Sequence, residues 1–313
     1  SWIFSNSIEP EVGSGVEIFR HKHIDIFDNV IRIKTSPPTC EYGHEEYSTA
    51  AVRIADYLSK PGAADGCYGN RVYGNKIFIT AAPYPKDARY TPMAWGIYYS
   101  ASAGDNYIFG NEITVENTAP SAKIETAAFY ICGGPQGFGG RFYNNRIVTN
   151  VPAAWVASMY GGTANTKIYN NTILKSPTAG QDFKVIRIGQ PGCDWCVAKE
   201  VEFRSNVIEG HTFDLQVSDQ PHTFSVYWTL DTELKDKKGN PVADARVSIL
   251  DKNKREVLSA KTDASGRFAT ELPEYHFDGK TRNYLAPYTV IVAKEKREVA
   301  LNQNTKITLV PKK

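Results

Sequence analysis

Apolar and polar positions along this chain alternate in short runs punctuated by turn residues, and one arrangement recurs seven times. It reads any residue, an aliphatic residue or Phe, an aromatic residue, a turn residue, Asn, any residue, an aliphatic residue. The copies begin with Trp2-Ile3-Phe4-Ser5-Asn6-Ser7-Ile8, Asp25-Ile26-Phe27-Asp28-Asn29-Val30-Ile31 and Arg71-Val72-Tyr73-Gly74-Asn75-Lys76-Ile77. They continue with Tyr107-Ile108-Phe109-Gly110-Asn111-Glu112-Ile113, Arg141-Phe142-Tyr143-Asn144-Asn145-Arg146-Ile147 and Lys167-Ile168-Tyr169-Asn170-Asn171-Thr172-Ile173, and end with Glu202-Phe203-Arg204-Ser205-Asn206-Val207-Ile208. Successive Asn residues lie 23, 46, 36, 34, 26 and 35 positions apart, so a core unit is kept while loops are inserted into it. Each copy predicts strand, tight bend, strand. Gly, Asn, Asp and Ser fill the bend because they tolerate positive φ or hydrogen-bond their own backbone. Asn side chains stacked one above another would pair with backbone groups and with each other.

A further strand is predicted between copies: Gly15–Ile18, Ala51–Ile54, Gly96–Tyr99, Ala128–Ile131, Ala154–Ala157 and Val185–Ile188, with Thr212–Leu215 closing the series. Three short strands per turn, stacked, bury a face that one turn alone could not. At roughly 4.8 Å per rung, seven rungs make a rod about 30 to 35 Å long. This stretch resembles the right-handed parallel β-helix superfamily, which includes pectate lyases, polygalacturonases, polysaccharide epimerases, phage tailspikes and many surface proteins. The resemblance covers about residues 1–217 and implies the fold; the repeats encode stacking and not chemistry. The expected class is all-β, a right-handed parallel β-helix of about seven rungs over residues 1–221, followed by a small β-sandwich over 222–313. The first rung shows no cap, and no basic-then-apolar signal precedes Ser1, so a processed, secreted product or a fragment is expected.

After Pro221 the Asn-bend pattern stops. Residues 222–313 carry 17 Lys+Arg against 12 Asp+Glu, whereas the preceding part carries 19 against 22. Turns between period-two runs suggest a small β-sandwich. The run Asp236-x-x-Gly239-Asn240-Pro241-Val242-x-x-Ala245-x-Val247, followed by Thr262-Asp263-x-x-Gly266-x-Phe268, resembles carboxypeptidase-regulatory-like, Ig-type modules. That resemblance implies an appendage of a secreted or cell-surface protein that is rarely catalytic.

Composition narrows the classes further. With 36 Lys+Arg against 34 Asp+Glu, bulk charge gives no argument for nucleic acid. Hydrophobic residues at 42% exclude a disordered chain, and no apolar run reaches the length of a membrane helix. Eighteen Tyr, 14 Phe, 5 Trp and 24 Gly beside 2 Met fit strands and turns. The five Cys include Cys40 and Cys67 in one long excursion, where a staple is expected, and Cys193-Asp194-Trp195-Cys196, a CxxC pair; Cys132 would be left over. Cys40-Glu41-Tyr42-Gly43-His44-Glu45-Glu46 invites a metal reading, but disulfide or inert thiol is preferred, and neither a metal nor a cofactor is expected.

Candidate chemistry falls on the intervening strands. If Val16 and Ile18, Val52 and Ile54 and their equivalents point inward, an outward column follows: Glu17, Arg53, Tyr98, Tyr130, Val156, Arg187 and Asp214. Arg53, Tyr98, Tyr130 and Arg187 are the candidate glycan contacts. Tyr faces stack on sugar rings, and Arg forks engage carboxylates or sulfates. Asp56, Tyr57, Lys60, Asp182 and Lys184 would extend this platform. The aromatic column Phe4, Phe27, Tyr73, Phe109, Tyr143 and Tyr169 reads instead as a packing stack. Of the superfamily's catalytic signatures, an Arg-Ile-Lys occurs at Arg32-Ile33-Lys34, near the start rather than last as in polygalacturonases. No Gly-His-Gly, Asn-Thr-Asp, Asp-Asp or Asp-Pro-His-Asp accompanies it. The expectation is an extracellular or cell-surface protein with a structural, assembly or glycan-contacting role, its partners a polysaccharide or protein neighbours. A lyase or hydrolase acting on an acidic polysaccharide is the alternative, and a tailspike-like phage protein a further one.

Overall fold

The structure is a computed structural model that describes every residue except 11–12, 36–47, 57–62, 84–92, 102–103, 120–124, 133–138, 159–160, 294 and 311–313. Among the described residues all regular structure is strand. The chain divides into two compact units, Ser1–Val201 with Ile208–His222, and Glu202–Val207 with Thr223–Lys313. The seventh Asn bend thus groups with the second unit.

In the first unit the chain passes through three parallel sheets in turn, an arrangement compatible with a β-helix. The first sheet holds Trp2–Phe4, Asp25–Phe27, Arg71–Tyr73, Tyr107–Phe109, Arg141–Tyr143 and Lys167–Tyr169. The second holds Ser7–Ile8, Val30–Lys34, Lys76–Ala81, Glu112–Asn117, Arg146–Thr149 and Thr172–Lys175. The third holds Val16–Phe19, Ser48–Ala55, Met93–Ser100, Glu125–Ile131, Ala154–Val156, Ile186–Ile188 and Leu215–Val217. Like residues stack in register: Ile26, Val72, Ile108, Phe142 and Ile168 in the first sheet, and Ile31, Ile77, Ile113, Ile147 and Ile173 in the second. All ten are buried, and they form the interior.

The bends explain the repeat. Ser5, Asp28, Gly74, Gly110, Asn144 and Asn170, each just before a repeat Asn, are all left-handed, with φ between 54° and 66°. The Asn that follows turns inward. From Asn29 to Asn145, each backbone N–H and each Nδ2 donates to Oδ1 of the next Asn, at 2.9 to 3.1 Å. A second, shorter ladder that the repeat pattern did not reveal joins Asn70 to Asn106, whose Oδ1 accepts from the N–H and Nδ2 of Asn70 at 3.1 and 2.9 Å. The column Phe4, Phe27, Tyr73, Phe109, Tyr143 and Tyr169 is a stack of near-parallel rings 4.9 to 5.1 Å apart. Inside that stack the ring faces cover one another, leaving only edges outward, as expected of packing.

The second unit holds two sheets. In one, Thr223–Leu234 pairs antiparallel with Arg267–Asp278 and parallel with Thr305–Leu309; in the other, Arg246–Leu250 lies between Glu256–Lys261 and Tyr288–Val292. Strict alternation of burial along Thr223–Leu234 puts Phe224, Val226, Trp228 and Leu230 on its buried face. Several turns are closed by one device: the carboxylates of Asp236, Asp251 and Asp263 each accept N–H bonds from residues two and four positions on.

Candidate functional site

Corner lengths point to the third sheet. The corner between first- and second-sheet strands is always two residues, whereas the connections into the third sheet run from 4 to 13 residues and those leaving it from 5 to 15. Loops that vary on a constant scaffold are where binding chemistry is built. The backbones also approach closely in this sheet: a Cβ on Gly96 would lie 2.6 Å from the Ala128 carbonyl oxygen.

The observed register aligns Glu17, Arg53, Tyr98, Tyr130, Trp155, Arg187 and Gln216. Arg53, Tyr98, Tyr130 and Arg187 therefore do share one column. Val156 and Asp214 do not: Val156 is fully buried in register with Ile131 and Ile188, and the column passes through Trp155 and Gln216. Sequence reading placed Trp155 inward because the four-residue segment around it, Ala154-Trp155-Val156-Ala157, is apolar on both faces.

The expectation of an exposed platform is also corrected. Arg53, Tyr98, Tyr130 and Trp155 are 5, 3, 0 and 3% exposed, whereas Glu17 and Gln216 at the two ends of the column are exposed and Arg187 is half-buried. The middle of the column belongs to a second apolar cluster with Ala50, Met93, Trp95, Ala127 and Cys132. Small and aromatic side chains on this face pack together rather than stand in solvent.

Within it the order is cation, aromatic rings, cation. The Arg53 guanidinium lies 4.9 Å from the Tyr98 ring and that of Arg187 lies 3.8 Å from the Trp155 ring. Between them, Tyr98 stacks on Tyr130 at 5.6 Å, Tyr130 stacks on Trp95 at 4.2 Å, and Trp155 meets Tyr130 edge-on at 5.5 Å. Each such aromatic pair adds about 0.5 to 1.5 kcal/mol, and each desolvated cation–ring contact about 2 kcal/mol. Ser158 Oγ donates to the Tyr130 hydroxyl at 2.5 Å, and Trp155 Nε1 donates to the Gly189 carbonyl at 3.0 Å.

Among the described residues, Trp95 Nε1 and Glu125 Oε2, in the same sheet, are buried with no hydrogen-bond partner. Burial pushes the Glu125 carboxyl above the usual carboxylate range, with the Arg187 charge pulling the other way. Burial likewise lowers the Arg187 guanidinium, opposed by Glu125. Burial raises Tyr130 well above an ordinary phenol. Buried orphan donors and acceptors are uncommon and each costs about 1 to 3 kcal/mol. Neither Trp95 nor Glu125 was singled out from sequence; the signal was there in Glu125, a lone carboxylate opening an otherwise apolar strand.

The remaining candidates lie elsewhere. Asp56 is buried and accepts from the Cys67 N–H at 3.1 Å. Lys184 pairs with Asp214 at 2.5 Å. Tyr57 and Lys60 lie outside the described residues. Cys193 and Cys196 are joined by a disulfide. Cys67 is a free, buried thiol with Sγ 3.2 Å from the Ala55 carbonyl oxygen, and Cys40, its expected partner, lies outside the described residues. The Cys40–Glu46 stretch lies outside them too; among the described residues no three His, Cys, Asp or Glu side chains converge. Among the described residues no helix is long and apolar enough to cross a membrane. Comparison with family models, with curated proteins and with solved structures finds no match to this chain.

Proposed function

We propose that the three parallel sheets form a right-handed parallel β-helix of the pectate-lyase-like kind, of about seven rungs, carrying an Ig-like module. On this reading the protein works outside the cell or at its surface, contacting an acidic glycan at the Arg187 end of the third-sheet column. The observation that carries it is the half-buried Arg187 guanidinium held 3.8 Å from the Trp155 ring, in the same sheet as Trp95 Nε1 and Glu125 Oε2, which are buried with no hydrogen-bond partner among the described residues. A half-buried guanidinium suits a uronate carboxylate or a sulfate, a polar ligand group would satisfy the orphan atoms, and variable loops flank the site. Contact is therefore expected at this end, and not along the whole column, whose middle is filled by its own side chains.

Titration calorimetry with oligomers of polygalacturonate, alginate and a sulfated glycan, against a neutral glucan, tests it. One acidic oligomer is expected to bind, with affinity falling at least tenfold in Arg187→Ala and falling with added salt. Equal affinity of wild type and Arg187→Ala for every acidic oligomer refutes the site.

A catalytic reading is favoured by one observation, the Glu125 carboxyl, whose Oε2 is buried with no partner among the described residues and which burial raises above the usual carboxylate range, since such a group holds a proton for a leaving oxygen. It is tested by following the ultraviolet absorbance of unsaturated uronate and the release of reducing ends. Loss of both signals in Glu125→Gln with binding retained supports catalysis; no signal from wild type on an oligomer that binds leaves a binding protein.

A further inference from the structure

The second unit holds a cleft of about 820 Å³ that the glycan reading does not use. It is lined by Leu234, Val242, Ala245, Val292 and Ala293 together with Asp236, Lys237, Lys238, Asn240 and Arg246. Leu234 and Val292 are 0 and 2% exposed, so the apolar surface open to a ligand is that of Val242, Ala245 and Ala293, and Lys237, Lys238 and Arg246 are exposed. The volume falls within the ~300 to 1,000 Å³ of small-molecule sites, which are mostly apolar with a few polar groups that fix orientation.

The charges decide what fits. The lining carries three cations, Lys237, Lys238 and Arg246, against one carboxylate, Asp236. Asp236 is committed to its own turn, accepting from the N–H groups of Lys238 and Asn240 at 2.8 and 2.9 Å and from Asn240 Nδ2 at 3.1 Å. Arg246 is partly engaged, its Nε donating to Ser259 Oγ at 3.1 Å and its guanidinium 4.0 Å from Glu256. Among the described residues no carboxylate pairs with Lys237 or Lys238. An apolar chamber with unpaired ammonium groups beside it favours an anion attached to a hydrocarbon body. It disfavours a sugar, whose hydroxyls would find few partners on five aliphatic side chains.

We propose that this cleft binds a small amphipathic carboxylate, its hydrocarbon body on Val242, Ala245 and Ala293 and its head group against Lys237 and Lys238. The proposal is independent of the glycan site, which lies in the other unit. Octanoate, octan-1-ol and acetate, titrated calorimetrically into the full chain, separate the two halves of the recognition. Octanoate is expected to bind at least tenfold more tightly than octan-1-ol, which lacks the charge, and than acetate, which lacks the body. The double variant Lys237→Glu/Lys238→Glu, on an exposed turn, should weaken octanoate at least tenfold and leave octan-1-ol unchanged. Ala245→Trp, which fills the chamber, should remove binding of both. No octanoate binding at millimolar concentration, equal binding of octanoate and octan-1-ol, or octanoate binding untouched by the lysine variant would each overturn the proposal. Should Ala245→Trp fail to fold, the lysine variant decides alone.

Discussion

Replacing Asn111 by Ala tests whether the Asn ladder, rather than the apolar interior alone, holds the bends. Asn111 is 1% exposed. Its Oδ1 accepts from the N–H and Nδ2 of Asn75 at 3.1 and 2.9 Å, and its Nδ2 donates to Val72 O, Phe109 O and Asn145 Oδ1 at 2.9 to 3.2 Å. The loss is not symmetrical. Asn75 Nδ2 keeps Ile26 O and Tyr73 O as acceptors, and Asn145 Oδ1 keeps the Asn111 N–H. The Asn75 N–H, by contrast, faces a methyl group. One orphaned buried donor costs about 1 to 3 kcal/mol and the other lost bonds about 1 kcal/mol together, a total of about 2 to 4 kcal/mol. Asn6 is the internal control. It is exposed, and its Nδ2 bonds only Phe4 O and Asn29 Oδ1, the latter still held by the Asn6 N–H. Asn6→Ala should cost under about 1 kcal/mol. Equilibrium urea unfolding of the two variants gives the comparison. Equal losses, or a loss at Asn111 below that at Asn6, would show that the ladder follows from the stack and does not hold it.

Three further outcomes are expected. His222 is buried, its Nδ1 accepting from the Ala198 N–H at 3.0 Å and its other ring nitrogen 2.9 Å from Ser218 Oγ; burial lowers it from 6.5 to about 4. Below pH 6.5 the unfolded chain takes a proton that the folded one refuses, so stability falls as pH drops from 6.5 to about 4 and then levels. The loss is about 3 kcal/mol at most, and urea midpoints across that window, flat in wild type, would refute it. Gly96→Ala drives a Cβ to 2.6 Å from a backbone oxygen, which cannot yield like a flexible side-chain end, and should cost about 1 to 3 kcal/mol in the same assay; a neutral effect refutes the tight approach. A Gly-Ser insertion after Gly110 should unfold much of the first unit by circular dichroism, whereas the same insertion after the exposed Gly180, where an added Cβ would meet nothing within 4 Å, should be tolerated. Equal tolerance would refute the fixed corner.

Much of the strand order was legible because its cause is local. A left-handed residue followed by an inward Asn leaves a signature within two positions, and register then carries it from one copy to the next. The Asn70–Asn106 ladder went unseen for want of a repeated flanking pattern, although both residues directly precede a first-sheet strand. The candidate column was legible in its middle, at Arg53, Tyr98 and Tyr130, because Val52 and Ile54 and their counterparts fix inward and outward by alternation. It failed at Trp155, where Ala154 and Val156 offer no polar position to set the phase. Burial of Tyr98 and Tyr130 could not be read at all. Alternation tells which face a side chain takes, not what lies over that face; Trp95, an odd number of positions from Tyr98, nevertheless contacts Tyr98 and stacks on Tyr130.

The same physics that fixes the bends favours the proposed site. An inserted residue at a first-to-second corner would take an Asn out of line with its neighbours and orphan the donor below it, so that corner stays at two residues in every circuit. The corners on either side of the third sheet carry no such continuous ladder and accept connections of up to 15 residues. Variation is thereby confined to the surroundings of one sheet. That sheet is also the one whose outer face carries tryptophans, tyrosines, arginines and a carboxyl in place of the charged, exposed positions such as Lys76 and Glu112 on the second. Tyr98 and Tyr130 are consumed in mutual stacking and serve as a rigid floor. Arg187, half-buried with its guanidinium on Trp155, is held in place by the ring while remaining within reach of solvent. A cation fixed in this way loses little side-chain entropy on meeting an anion, which favours Arg187 as the anchor of the proposed contact.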